Sequence, residues 1–114
     1  MELQVIERSD NISYVKLIGK LDVAGLHQVD MKFHGHTAAQ RRPCIVDLSE
    51  LEFIASLGMG MLISCGQSLQ RKKQMMVLLN PQPMVEAAIK TVGIDNVIPI
   101  VKSEQEALAR LGVA

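Results

Sequence analysis

The stretch Asp47-Leu48-Ser49-Glu50-Leu51-Glu52-Phe53-Ile54-Ala55-Ser56-Leu57-Gly58-Met59-Gly60 decides how this chain is read. It continues the apolar run Cys44-Ile45-Val46, which suits a strand buried on both faces. The polar residues after Leu48 read as a short loop. From Leu57 the apolar residues fall at helical spacing: Leu57, Met61, Cys65 and Leu69 recur at i+4, with Leu62 alongside. The segment is therefore a buried strand, a short loop and a helix over residues 57–72 with Ser56 at its mouth. A hydroxyl there has two readings, which both stay open. As an N-cap it accepts from a first-turn amide and contributes about 1 kcal/mol. As a phosphoacceptor it would set a phosphate against free amides and the positive end of the helix dipole.

The same alternation of strand and helix extends in both directions. Residues 3–7 and 12–20 read as two strands of a hairpin, with Ser9-Asp10-Asn11 as turn chemistry. Ile12, Tyr14, Lys16 and Ile18 share one face of the second strand, and Ser13, Val15, Leu17 and Gly19 the other. A helix follows over residues 24–40, weakened near His34-Gly35-His36. Pro43 punctuates before the buried strand. Residues 75–79 form another buried strand, stopped by Asn80-Pro81. Pro83 opens a helix with Val85, Ala88, Ile89 and Val92 as its apolar face and Gly93 as its C-terminal cap. A last strand over residues 97–101 precedes a capping box, Ser103 to Glu106, and a short terminal helix. The order is ββαβαβαβα. It predicts a single α/β domain over residues 1–114 with a mixed, largely parallel sheet and packed helices.

The bulk numbers exclude several function classes. With 114 residues and 48% apolar content, the chain can form a core without metals or disulfides. Net charge is zero and aromatics are 3%, so nucleic-acid binding through phosphate neutralisation and base stacking is not expected. Cys44 and Cys65 form no CxxC and read as small buried hydrophobes in a reducing compartment. The N-terminus lacks the pattern of a signal peptide, and no apolar run approaches the roughly 20 residues that span a bilayer. The expectation is a cytoplasmic protein without membrane insertion.

Enzyme signatures are absent. The glycines lack P-loop spacing, Gly58-x-Gly60 is too short for a dinucleotide fingerprint, and Ser56 does not sit in G-x-S-x-G. His27, His34 and His36 have polar neighbours and no cysteine partner or i+4 pair in sequence; they read as a solvated helix face, not as metal ligands. Met59, Met61, Met75, Met76 and Met84 read as core filler. Met59 and Gly60, next to Ser56, are also placed for an adaptable apolar contact. Asp47 and Ser49 read as loop anchors, and Asp22 as the N-cap of the first helix.

The central stretch resembles the signature of STAS domains, the family that includes bacterial anti-sigma factor antagonists. The family pattern runs Asp-Leu-Ser, a few residues, Phe, an apolar residue, then Asp-Ser-Ser-Gly. Here Asp47-Leu48-Ser49 and Phe53-Ile54 match, and Ala55-Ser56-Leu57-Gly58 occupies the last four positions. Gly19-Lys20-Leu21-Asp22 matches the Gly-x-Leu-Asp element, and Gly93-Ile94 matches a further Gly-apolar pair. The resemblance implies the STAS fold over nearly the whole chain. It also implies a regulator of transcription that binds protein partners and uses no cofactor. The partner implied is an anti-sigma factor, of the serine-kinase type, whose capture frees a sigma factor. In the standard antagonists the phosphoacceptor position aligns with Leu57; in stressosome-type members the acceptor directly follows the Asp and aligns with Ser56. The partner-binding surface implied comprises Asp22, Phe53, Ser56, Leu57, Gly58, Met59 and Gly60, with Ser56 as phosphorylation candidate and a monomer or weak dimer as the state. Two alternatives stay open: an interaction subunit of a lipid-transport or sensor complex, and a small-molecule or nucleotide binder.

Overall fold

The computed structural model describes residues 1–112. Strands β1 (Glu2–Val5), β2 (Ser13–Leu21), β3 (Cys44–Ile54), β4 (Met76–Leu79) and β5 (Ile100–Val101) form one sheet in that spatial order. The first pair is antiparallel and the other three are parallel. The helices are α1 (Val23–His36), α2 (Ser56–Arg71), α3 (Pro83–Val92) and α4 (Glu104–Arg110), with a 3₁₀ turn at Ile94–Asn96. The expected ββαβαβαβα order and mixed sheet are what the chain adopts.

Alternation along the strands supplies two cores. Val15 and Leu17 of β2 and Val46 of β3 face α1, α2 and α3, meeting Phe33, Leu62, Leu69 and Ile89. Tyr14, Ile45, Val77 and Val101 point the other way, where Ala107, Leu108 and Leu111 of the C-terminal segment cover them. The parallel strands are thus buried on both faces, as their near-continuous apolar sequences require.

The loop expected after Leu48 is strand instead: β3 runs on to Ile54, paired with β2 as far as Leu21. The cause lies in two register shifts, between Lys16 and Ile18 and between Gly19 and Lys20, each adding a residue to β3. Gly19 has φ +107, a conformation glycine adopts freely. The bulges space the buried residues Leu48, Leu51 and Ile54 three apart rather than two. A strand with that spacing hides from an alternation test.

Other boundaries move for local reasons. Helix α1 ends at His36, four residues before the expected stop, where the Thr37 hydroxyl donates to the Phe33 carbonyl at 2.7 Å. The final strand keeps only Ile100 and Val101. Ile98 instead fills the space beside Gly66, where a Cβ would stand 2.6 Å from its Cδ1. Val92 of α3 is exposed, and Val85 and Ile89 carry that helix's packing. Met61 and Met76 are buried as expected, whereas Met75 and Met84 are exposed and are not core filler.

Candidate docking edge at the ends of β2 and β3

Asp22 and Ser56 come together through strand pairing. β2 and β3 are parallel neighbours whose last paired residues are Leu21 and Ile54. Each strand turns directly into a helix. Both junctions therefore lie at one carboxyl edge of the sheet, where open α/β folds place their binding surfaces. The Ala55 amide donates to the Leu21 carbonyl at 2.9 Å, tying the two junctions to each other.

At the first junction Asp22 is the N-cap of α1: its Oδ1 accepts from the Gly25 amide at 2.8 Å. The turn is tight. A Cβ on residue 25 would stand 2.2 Å from the Lys20 carbonyl oxygen, so only glycine fits. The second junction is built by close packing rather than by a cap. A Cβ at Gly58 would lie 2.7 Å from Leu21 Cγ and Cδ2 and 3.2 Å from Ile54 Cγ1. The first turn of α2 is thereby pressed onto the sheet, and the residues on its other side face solvent.

This geometry corrects two expectations. The N-cap of α2 is Ala55, which has no side chain to donate or accept, and Ser56 is the first helical residue. Ser56 is exposed and makes no capping bond, so the first-turn amides lack a side-chain partner. Leu57 is not on the buried face either. It is 57% exposed, and the buried stripe runs Gly58, Met61, Leu62, Cys65, Gly66 and Leu69. The i+4 pattern placed Met61, Leu62, Cys65 and Leu69 correctly and failed only at Leu57, because the buried positions Gly58 and Gly66 carry no apolar side chain to read.

Of the sequence-selected residues, Phe53 is 47% exposed, Gly60 is exposed, and Met59 is half-buried against the core. Phe53, Ser56 and Leu57 are thus all exposed within five residues of chain, at the edge that also holds the capping Asp22.

Asp47 and Ser49 belong elsewhere. Asp47 Oδ1 accepts from the Ser49 amide at 2.9 Å and its Oδ2 from the Tyr14 hydroxyl at 3.1 Å. Burial and the neighbouring carboxylate push the Tyr14 phenol up from its ordinary range. Both residues lie within strand β3, so they anchor strand and not the loop expected there.

Two features were missed from sequence. His34 does have a cysteine neighbour: Cys65 Sγ lies 3.5 Å from its Nδ1, and Asp30 Oδ1 lies 3.3 Å from its Nε2. The partner comes from α2 and is invisible in the local sequence. Burial pushes the Cys65 thiol up to about 11, against a hydrogen bond from Thr37 that favours the thiolate. No cluster of three metal-ligating side chains occurs among the described residues. The second feature is a groove between Phe53 and the start of α3, lined also by Met84 and Val85. No helix among the described residues is long and apolar enough to cross a membrane.

Comparison with known proteins fits this architecture. A family model of the STAS domain matches residues 4–107. The chain is 30% identical to the anti-sigma F factor antagonist of Paenibacillus polymyxa, over 99% of this chain and 98% of that protein. Its fold is similar to an anti-sigma-factor antagonist domain protein of Planctomyces limnophilus (TM-score 0.83, 20% identity, 96% of each chain). It is also similar to the Bacillus cell fate determinant SpoIIAA in its phosphorylated form (TM-score 0.67, 23% identity, 96% of this chain and 98% of that one). The strand-to-helix junction at Phe53–Gly60, the Asp22 turn and the match over most of the chain make this protein a member of the STAS domain family.

Proposed function

We propose that this protein is an anti-sigma factor antagonist: it docks on an anti-sigma factor of the serine-kinase type and so frees a sigma factor. The observation that carries the reading is the exposed pair Phe53 and Leu57 beside Ser56, at the edge that also holds Asp22. The relative named for that activity spans nearly the whole chain and supports the assignment. The site binds and does not catalyse. The carboxylate at this edge, Asp22, is engaged in capping.

Ser56 is the modification point of the same surface. Leu57 has no hydroxyl, and Ser56 is exposed at the first position of α2. A phosphate on Ser56 would meet the uncapped amides of the first turn and be accommodated by the fold. It would add about two negative charges beside Phe53 and Leu57 and oppose docking by repulsion and desolvation. Incubation with ATP and the serine-kinase-type anti-sigma factor of the same organism tests this by mass spectrometry. The expected result is a single phosphate on Ser56, absent in Ser56→Ala. Unmodified protein that still binds would leave a constitutive antagonist without a switch.

A further inference from the structure

Strand β3 outruns its neighbour β4. Their pairing ends at Asp47 and Leu79, whereas pairing with β2 continues to Ile54. Helix α3, not a strand, meets the free flank of residues 48–54, and the Gln82 side chain donates to the Ser49 carbonyl at 3.0 Å. A groove of about 150 Å³ remains, with Ile54 and Val85 buried in its floor and Phe53 and Met84 at its walls. Met84 is 81% exposed, and α3 packs through Val85 and Ile89 without it.

We infer that this groove is a second contact for the same partner: it takes one apolar side chain of the anti-sigma factor, flanked by a lysine or arginine that faces Glu52. The inference rests on the docking reading above. Continuity supports it, because Phe53, a wall of the groove, stands one helical turn's length of chain before the exposed Leu57 at the docking edge. Charge supports the cation. Glu50 is paired with Lys16, and Glu86 with Lys90 and Lys102, while Glu52 is exposed at the groove and has no ion-pair partner among the described residues. A carboxylate beside an apolar slot selects an apolar side chain with a neighbouring cation. Methionine suits the wall because its thioether adapts to the shape it meets.

Titration calorimetry against the serine-kinase-type anti-sigma factor of the same organism tests the groove separately from the docking edge. Met84→Glu is expected to weaken binding at least tenfold, and Met84→Ala several-fold, with the thermal midpoint unchanged. Glu52→Gln is expected to weaken binding and flatten its salt dependence. Leu57→Glu is the comparator. If it abolishes binding while the Met84 and Glu52 variants bind like the native protein, the groove inference falls and the docking reading stands. If Leu57→Glu also binds normally, or the native protein does not bind, the docking reading itself falls. A dimer that Met84→Glu dissolves would assign the groove to a second copy and overturn the inference.

Discussion

Gly58 lies against Leu21 so closely that a Cβ on it would stand 2.7 Å from two of the leucine's carbons. This contact seats α2 on the sheet and turns Ser56 and Leu57 outward. Leu21 is fully buried and has no room to yield. Gly58→Ala is therefore expected to destabilise the fold by about 1–3 kcal/mol, the usual cost of overpacking. Gly60, with open space around it, is the control: Gly60→Ala should gain about 0.5–1 kcal/mol in helix propensity. Chemical denaturation of the two variants checks the opposite signs.

The capping assignments predict a reversal of what the sequence leads one to expect. Ser56→Ala should change stability by less than about 0.5 kcal/mol, because Ser56 caps nothing. Asp22→Ala should cost about 1 kcal/mol through loss of the bond to the Gly25 amide. Ala55→Asp should gain about 1 kcal/mol by supplying α2 with the cap it lacks. Denaturant midpoints measure all three.

The family element and the overall order were legible in sequence because local signals agreed: turn residues at Ser9–Asn11, the Pro83 helix start, the Gly93 cap at φ +88 and the Ser103 box. The site was legible as a segment but not in its details. Bulges hid the second half of β3, and the buried Gly58 left Leu57 as the apparent start of the α2 stripe. The groove and the Cys65–His34 contact join residues about 30 apart in the chain, so no local pattern could show them.

Acid should weaken the fold partly through Glu86. Hydrogen bonds from Lys102 and Lys90 hold its carboxyl below the usual range. A depressed folded-state pKa means that the unfolded chain takes up the proton first. Its contribution is present above the ordinary glutamate range and is lost as pH falls through the folded-state value. Glu86→Gln should therefore show a shallower fall in thermal midpoint as pH drops below about 4.3, the ordinary glutamate value.

Both cysteines should be silent in the native state. Cys44 and Cys65 are buried, and burial raises both thiols above their ordinary range. A thiol reagent at pH 8 should label neither until denaturant is added, and then both. Rapid native labelling of Cys65 would mean that His34 does not shield it.

Leu57 tests the central claim most directly. It is 57% exposed, so Leu57→Glu disturbs no core packing, and a carboxylate in the first turn of α2 is favoured by the helix dipole. Titration against the serine-kinase-type anti-sigma factor of the same organism should show loss of binding by at least tenfold, with cooperative unfolding at the native midpoint or above. Native affinity in Leu57→Glu would contradict the docking edge, and with it the assignment of this surface to an anti-sigma factor.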